Sequence, residues 1–543
     1  AIFLIPFFIK RFYKDLKFLA ILRKYHNLIL ILISAIVLFD IISIKTFSWR
    51  KLAVDNFTGI GHLNPVFYYT ILADKGAYTN IFAAPQYGFY SFYLKPIFDI
   101  IGINVFNFTF VMTILYLVAL LFVIVPVVKI IRNFVLKILF IFSFVSLQGL
   151  QSYLFTPDPY FQYYPIRFIF PAVSVFLLFK LIKSKEYSRQ LFISMIASSI
   201  LGYFILWNLD SGIVTLIAWL GFISIFSLQK ILQDKKNNIK SYSIFFILNL
   251  LCAGIFSMIA LFLIIRYNAI ELPFSKFFEM QKLFYKQGLM MITLPLQLHP
   301  WLIVASIYIV AFSIGLYKIL RNHSICSFKN LLAFYLSILG IGLFSYYQGR
   351  SHDLNLPTVS WPFLTICFLF SDRLWKTSTI KNFKFLRFII LPFLIFTSAL
   401  SLRLIAISPK IISKSEALLS LKKNKEFKAK EKVFLNTIEW LSTFSYPPSN
   451  TSLILYNEAL LYAESGLRPA VYLPSFEENF ITTSQDIETS KFLSSSVIRN
   501  LFLPLNWRNK YNFYGIEKSI DETFELKQSY PLEYWVYSGK KNN

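Results

Sequence analysis

The sequence has few charged residues. Only 15% of its 543 residues are Asp, Glu, Lys or Arg, while 56% are hydrophobic and 19% are aromatic. Soluble globular proteins carry about 25% charged and about 45–50% apolar residues. A soluble fold of this length could not bury so much apolar surface. We therefore expect lipid to be the solvent for most of the chain.

Cysteine and several catalytic motifs are also scarce or missing. The three cysteines are Cys252, Cys326 and Cys367; two lie in apolar runs and one in a predicted inner loop, so no disulfide framework or zinc site is indicated. The sequence contains no GxxxxGK[ST] loop, so ATP hydrolysis does not drive the function. It also contains no HExxH, CxxC or GxSxG motif.

What the chain has in excess is basic residues, 54 Lys and Arg against 28 Asp and Glu. Such a balance is one sign of nucleic-acid binding. The basic residues, however, sit between hydrophobic runs, as the positive-inside rule requires of a membrane protein. We therefore expect no nucleic-acid partner. The sequence opens at Ala1 rather than Met, and we assign no signal peptide to it.

Eleven apolar runs approach the roughly 17–25 residues that a membrane-spanning helix needs. The broken apolar patch at 1–26 predicts an interfacial or cytoplasmic helix instead. The predicted spans are 27–45, 104–128, 134–150, 168–183, 190–208, 212–229, 243–265, 301–320, 330–347, 357–371 and 385–406.

Charge predicts the orientation of these spans. With the N-terminal segment cytoplasmic, five basic connections fall on the inner side, and three short connections that are nearly free of Lys and Arg fall on the outer side. The long connections 46–103 and 266–300 and the tail 410–543 then lie outside. We expect a transmembrane domain at 27–409 and an extracytoplasmic domain at 410–543.

The tail alternates strand-like runs (TSLILYN, PAVYLPS, EYWVYS) with a helix-like run (EKVFLNTIEWLSTF). We therefore predict an all-α polytopic membrane protein of about eleven transmembrane helices, with a small C-terminal α/β or α+β domain outside the cytoplasm.

Polar residues gather in the predicted outer connections. The first supplies Asp55, His62, Gln86 and Tyr87. A carboxylate beside the membrane loses hydration, which raises its pKa and makes it a better base, although a solvated or helix-capping Asp would fit as well. The PQYGFY run predicts a turn that opens an interfacial helix.

Two further outer connections carry few ionisable residues: the first has Asp158 and Arg167, and the second has Asp210. Arg167 could bind phosphate bidentately or lie at the interface as a snorkelling arginine, and Asp158 could pair with it. Asp210, in WNLDSGI, must sit at the membrane surface, where it could bind substrate or cap the following helix.

The segment YYQGRSHDLNLP at 346–357 holds the densest polar cluster. Arg350 and His352 together could bind an anionic phosphate, while Asp353 could orient His352 or bind a divalent cation. A loop that merely connects two helices needs none of this chemistry, so we interpret the segment as functional.

These loops resemble the GT-C superfamily, polytopic glycosyltransferases that use sugars carried on polyprenyl phosphate. The resemblance rests on Asp55 with GHLNP and PQYG, on YYPIRFIFP, WNLDSGI and YYQGRSHDLNL, and on the tail segment YNEALLYAESGLRPAVYLPS. It implies a bacterial member of the mannosyl- or arabinosyl-transferase type. Such a protein lies in the plasma membrane with its active site on the outer side.

The resemblance also implies roles. Asp55 would activate the acceptor hydroxyl, and Arg167, Arg350 and His352 would bind the lipid phosphate as it leaves. The partners would be a polyprenyl-phosphate sugar, membrane lipid and a glycan, lipid or protein acceptor; no cofactor is required beyond a divalent cation at most. The remaining candidate substrate-binding residues are His62, Gln86, Tyr87, Asp158, Asp210 and Asp353.

Other functions stay open at this point. A transporter or flippase of a lipid-linked or anionic substrate would show internal repeats and ionisable residues at mid-membrane, and we find no convincing repeat. An enzyme of the O-antigen ligase or polymerase type would rely on Arg and His rather than Asp. No filter motif indicates a channel.

Overall fold

The computed structural model describes the chain in segments. They cover residues 53–54, 63–75, 87–148, 163–233, 235–267, 278–286, 288, 291–322, 328–352, 355–380, 390–402, 425–445, 452–454, 458–469, 491, 493, 498–505, 507 and 514–538.

Helices account for nearly all of the described membrane domain. Two short ones, α1 (Asn64–Lys75) and α2 (Tyr90–Ile101), lie within the predicted outer loop 46–103. The bundle continues with α3 (Val105–Ile130), α4 (Phe134–Gln148), α5 (Tyr163–Lys183), α6 (Tyr187–Tyr203), α7 (Leu209–Gln233), α8 (Lys235–Tyr267), α9 (Glu279–Tyr285), α10 (Pro300–Asn322), α11 (Phe328–Gly349), α12 (Leu356–Ile380) and α13 (Ile390–Leu402).

Among the described residues, seven helices are long and apolar enough to cross a membrane: α3, α5, α6, α7, α8, α10 and α11. This confirms an integral membrane protein built of α-helices, but not the predicted count of eleven spans. The predicted spans 134–150 and 385–406 correspond to the shorter apolar helices α4 and α13. The span 357–371 falls within α12, and 27–45 lies outside the described residues, as does the segment 1–26.

The bundle has a buried centre and a lipid-facing rim. The span in α5 is 67% buried, and α5 packs against α3, α6, α7 and α11. The span in α8 is only 22% buried, and large apolar side chains such as Met258 and Phe262 are exposed on it. An apolar helix face left uncovered is stable only in contact with lipid, so α8 lies at the periphery.

The connections between helices form two ends of different character. We call one the basic end, because Lys129, Arg132, Lys183, Lys185 and Lys329 lie in or beside its connections. There Asp372 is buried, accepts hydrogen bonds from the backbone N–H groups of Arg132 (3.1 Å) and Asn133 (2.9 Å), and pairs with Lys329. This contact joins the α3–α4 connection to α11 and α12.

The opposite end, which we call the pocket end, gathers the C-terminus of α4, the N-terminus of α5, the α6–α7 turn and the described residues between α11 and α12. Trp207 in the α6–α7 turn donates from Nε1 to the carbonyl of Ile166 in α5 (2.9 Å). The side chain of Tyr93 in α2 donates to the carbonyl of Tyr203 (2.7 Å), which holds α2 across the same end.

The C-terminal region mixes strands and helices, as its sequence pattern predicts. A four-stranded sheet, ordered β1-β2-β4-β3, consists of β1 (Ser452–Ile454), β2 (Asn500–Leu503), β3 (Phe524–Ser529) and β4 (Glu533–Tyr537). Strands β1 and β2 are parallel and the other pairs antiparallel. The helices are α14 (Lys425–Ser442), α15 (Glu458–Ser465) and α16 (Tyr514–Thr523).

Helix α15 joins the C-terminal region to the membrane domain. It packs against α1, where the rings of Tyr68 and Tyr462 lie 6.0 Å apart, and Glu464 accepts a hydrogen bond from the backbone N–H of Val105 (2.9 Å). Val105 opens α3 at the pocket end. The C-terminal region therefore lies at the same end of the bundle as the pocket.

Candidate functional site

A large cavity opens at the pocket end. It holds about 1080 Å³ of empty space, part of it open to solvent. Its walls come from the segment before α2, the C-terminus of α4, the N-termini of α5 and α7, α9, and the α11–α12 connection. Side chains from sequence-distant loops therefore face one another here.

Arg167 projects into this cavity from the first turns of α5. Its guanidinium carbon lies 3.9 Å from the ring centroid of Tyr346 and 5.2 Å from that of Tyr87. A cation held over two aromatic faces is attracted by both, and more strongly where water is excluded. The two rings fix the guanidinium at the cavity wall.

Asp210 does not cap α7. Asn208 does, since its Oδ1 accepts from the backbone N–H of Ser211 (2.9 Å) and from its hydroxyl (2.8 Å). The capping alternative for Asp210 is therefore wrong. Its carboxylate instead interacts with Arg167 and accepts hydrogen bonds from the side chains of Gln281 and Tyr285.

Tyr87 is held in position by the α6–α7 turn. Its carbonyl accepts from Asn208 Nδ2 (2.9 Å), and the N–H of Phe89 donates to the carbonyl of Leu206 (2.8 Å). Between them Gly88 has φ +83°, and a Cβ there would come within 2.6 Å of the Trp207 carbonyl oxygen. Only glycine permits this approach. The turn predicted from PQYGFY is confirmed for residues 87–89, which precede α2 at Tyr90, whereas the interfacial position of that helix stays a prediction.

Tyr285, the last residue of α9, adds a hydroxyl to the cavity. Burial raises the pKa of Tyr285, and the neighbouring charge of Asp210 raises it further. A tyrosine hydroxyl is protonated at neutral pH even without this shift, and that of Tyr285 donates a hydrogen bond to the Asp210 carboxylate. Helix α9 lies within the predicted outer loop 266–300, so this part of the loop contributes to the site.

The segment after α11 carries Arg350 and His352. It is ordered by backbone pairing with residues 292–293: Arg350 bridges Ile292, and the Ser351 hydroxyl donates to the carbonyl of Ile292 (2.7 Å). The side chain of Asn355 donates to the carbonyl of Arg350 (3.0 Å). These contacts bring half-buried Arg350 and exposed His352 to the cavity.

The cavity has an excess of positive charge. Among the described residues that line it, Asp210 is the one carboxylate, whereas Arg167 and Arg350 both carry a guanidinium. Asp210 interacts with Arg167, and it lines a smaller part of the cavity together with Arg167 and Arg350. Aromatic rings form much of the remaining wall, among them Phe168 and Trp361.

Half of the predicted site residues meet in this cavity. They are Tyr87, Arg167, Asp210, Arg350 and His352. The others lie outside the described residues: Asp55, His62, Gln86, Asp158 and Asp353. Their roles stay predictions, as does the pairing of Arg167 with Asp158. Within the described part of the chain, no cluster of His, Cys, Asp and Glu could hold a metal ion.

The sequence analysis missed Gln148 and Tyr285, and it did not single out Tyr346, although that residue opens the segment 346–357. Gln148 ends a predicted apolar span, and the two tyrosines resemble the many other aromatic residues at helix ends. A polar amide at the outer end of such a span was the only available signal.

Comparison of the sequence with protein-family models gives no match, and comparison with curated proteins gives none either.

Proposed function

We propose that this protein is a membrane glycosyltransferase of the GT-C type. It transfers a sugar from a polyprenyl-phosphate carrier to a glycan, lipid or protein on the extracytoplasmic side of a bacterial plasma membrane. One observation carries the proposal: a cavity at one end of the helix bundle combines two guanidinium groups, against one carboxylate among the described lining residues, with aromatic walls and a few polar groups. Such a composition suits a ligand that is part anion and part sugar.

The basic side chains would act on the phosphate. Guanidinium groups bind phosphate oxygens through charge-assisted hydrogen bonds, and Arg350 has charge to offer. As the bond between the anomeric carbon and the phosphate oxygen breaks, negative charge grows on the departing polyprenyl phosphate. Arg350 and His352 would stabilise that charge.

The acceptor must lose a proton in the same reaction. Its hydroxyl oxygen forms the new bond to the anomeric carbon, and a carboxylate takes the proton. The resemblance assigns this role to Asp55, which lies outside the described residues. The energy comes from the glycosyl phosphate, in accord with the lack of a nucleotide-binding loop in the sequence.

A transporter or flippase is the alternative. Transporter sites usually lie near the bilayer midplane, on broken helices of repeated units. Here the ionisable residues that line the cavity lie at helix ends: Arg167 near the start of α5, Asp210 at the start of α7 and Arg350 after α11. This placement favours an enzyme that works at the membrane surface.

The test uses the full chain in proteoliposomes with decaprenyl-phosphoryl sugars, and measures release of decaprenyl phosphate. We expect Arg350→Ala to lower kcat/KM about 100-fold, as removal of a charge-stabilising group does. Arg189→Ala, an exposed arginine near the basic end, is the matched control and should leave kcat/KM unchanged. Asp55→Asn should abolish transfer in a folded protein.

The wild type could release no decaprenyl phosphate and instead move the intact sugar-lipid between leaflets. That result would contradict the glycosyltransferase proposal and identify the protein as a transporter. If Arg350→Ala and Arg189→Ala have the same kcat/KM, Arg350 does not bind the lipid phosphate in this cavity.

A further inference from the structure

The chain just before α10 exposes large apolar side chains. We call residues 291–298, with the sequence MITLPLQL, the leucine segment. Leu296 is 96% exposed and Leu298 100% exposed, and Met291 and Ile292 are exposed as well. A group of large apolar side chains in water is unfavourable, and such a surface marks a place that lipid or a partner covers.

Hydrogen bonds attach the leucine segment to the pocket end. The backbone N–H (3.2 Å) and the hydroxyl (2.7 Å) of Ser351 both donate to the carbonyl of Ile292, and the hydroxyl also contacts the carbonyl of Thr293. Ile292 forms a β-bridge with Arg350, which lines the cavity. The leucine segment therefore lies beside the cavity.

The backbone of the leucine segment is suited to leave water. Besides the carbonyls of Ile292 and Thr293, that of Pro295 accepts a hydrogen bond from Trp301 Nε1 (2.9 Å). Removing a carbonyl group from water is costly chiefly when the group has no partner. These three carbonyls have partners within the protein.

The leucine segment also belongs to a long uncharged stretch. The sequence has no Asp, Glu, Lys or Arg between Lys286 and Lys318, whereas the membrane span of α10 begins only at Pro300. Loops in water are ordinarily polar. The uncharged stretch thus continues past the span on the side of the cavity, as expected for a segment in contact with lipid.

The length of α10 gives the depth of the leucine segment in the membrane. The span Pro300–Ile319 has 20 residues and, at about 1.5 Å per residue, extends about 30 Å, the thickness of the hydrocarbon core. The residues just before Pro300 then lie where acyl chains meet headgroups. His299 and Trp301 flank this point, as amphipathic rings do at membrane interfaces.

The apolar surface is continuous from the helix into the segment. Ile303 and Ile309 are exposed on α10, whose span is only 28% buried, so this face of the helix contacts lipid. Leu296 and Leu298 extend the same kind of surface toward the headgroups.

We infer that the leucine segment inserts Leu296 and Leu298 into the leaflet at the pocket end, and that this insertion holds Arg350 among the lipid headgroups. The partner of this surface is the bilayer itself. A ligand carried on a lipid then reaches Arg350 without leaving the leaflet. The insertion does not depend on the proposed function, whereas this route for the ligand rests on it.

Photo-crosslinking tests the insertion. Leu298 is replaced by p-benzoylphenylalanine in the full chain, which is irradiated in nanodiscs of phosphatidylethanolamine and phosphatidylglycerol. Mass spectrometry measures the fraction of chains joined to a phospholipid. We expect a fraction close to that for the same replacement of Ile303, on the lipid-facing side of α10, and loss of the adduct at Leu526. Leu526 is the matched control, an exposed leucine of β3 between Glu525 and Lys527.

Two results would overturn the insertion and leave the proposed function untouched. The first is a lipid adduct at position 303 but none at position 298, which would place the leucine segment in water. The second is an adduct of position 298 with another chain, which would make this surface an interface between copies of the protein.

The route for the ligand is tested with donors of two chain lengths in proteoliposomes. The double variant Leu296→Glu and Leu298→Glu should lower kcat/KM about tenfold for a decaprenyl-phosphoryl sugar, because carboxylates withdraw the segment from the leaflet. For a water-soluble donor with a short prenyl chain, kcat/KM should stay within about twofold of the wild type. Leu526→Glu, the control, should change neither value.

Equal losses with both donors, or no loss with either, would overturn the route and leave the proposed function in place. A wild type that is inactive with both donors would overturn the proposed function and the route together. The crosslinking result decides the insertion in either case.

Discussion

The two ends of the helix bundle each hold a carboxylate beside a cation, and they use it differently. At the basic end, Asp372 is 3% exposed and its oxygens are occupied by two backbone N–H groups and by Lys329. At the pocket end, Asp210 faces a cavity, and the Arg167 that it interacts with has a buried Nε–H with no hydrogen-bond partner among the described residues.

The difference shows how the same pair of residue types can serve structure or function. A carboxylate whose partners all come from the protein joins helices and offers nothing to a ligand. A carboxylate and a cation that line a cavity with unused donors are prepared for an outside partner, and their arrangement costs stability in its absence.

The largest expected effect is a difference in stability between variants of the two carboxylates, Asp372 and Asp210. Asp372→Ala leaves Lys329 and two backbone N–H groups without their partner, which should cost about 3–5 kcal/mol of unfolding free energy. Asp210→Asn keeps the size and the acceptor oxygen for Tyr285, and should cost only about 1 kcal/mol. Unfolding in mixed detergent micelles measures both.

Activity per folded molecule should rank the two variants the other way, with Asp372→Ala close to the wild type and Asp210→Asn strongly impaired. A severe loss of stability in Asp210→Asn with normal activity would show that both carboxylates are structural.

A second comparison uses two glycines with positive φ. Gly88→Ala combines backbone strain with contacts of 2.6 Å and 2.7 Å to Trp207 and Asn208, so it should cost about 2–4 kcal/mol and displace Tyr87 from Arg167. Gly102 has a similar φ (+76°) with nothing near a new Cβ, and Gly102→Ala should cost only about 1 kcal/mol. Thermal unfolding and sugar transfer are measured for both.

If the two alanine variants lose the same stability and activity, then crowding at the α6–α7 turn does not hold Tyr87 in place, and the cavity wall is more adaptable than its packing suggests.

The smallest effect concerns the C-terminal region. Burial raises the pKa of Glu464, although its hydrogen bond from the Val105 N–H opposes the shift. The pKa of Glu464 in the folded protein therefore exceeds the ordinary value of 4.5. Protonation of Glu464 stabilises the contact between α15 and α3, and this contribution is complete at pH values below 4.5. The contribution is lost as the pH rises through the folded pKa.

Hydrogen exchange in α15, corrected for intrinsic rates, should therefore be slower at pH 4.5 than at pH 7.5, with Glu464→Gln abolishing the difference. The same pH dependence in Glu464→Gln would assign it to another group.

Prediction from sequence succeeded where local composition decides the outcome. Lengths of apolar runs located α3, α5 to α8, α10 and α11, since spanning helices must satisfy their own backbone hydrogen bonds in lipid. The alternation of basic and bare connections predicted which loops meet, and Tyr87, Arg167 and Arg350 do share one cavity. The number of spans was less well predicted, because run length alone does not separate α4 or α13 from a full span.

The sequence by itself determined that most of this chain lies in lipid, which helices span it, and at which end of the bundle the polar connections lie. These properties depend on the length of apolar runs and the placement of charges, which are features of short stretches of chain. Only the tertiary structure decided that Asn208 rather than Asp210 caps α7, that Asp210 faces Arg167, and that Gln148 lies in the same cavity. Those assignments depend on which side chains from distant helices approach within hydrogen-bonding distance, and packing in three dimensions sets that.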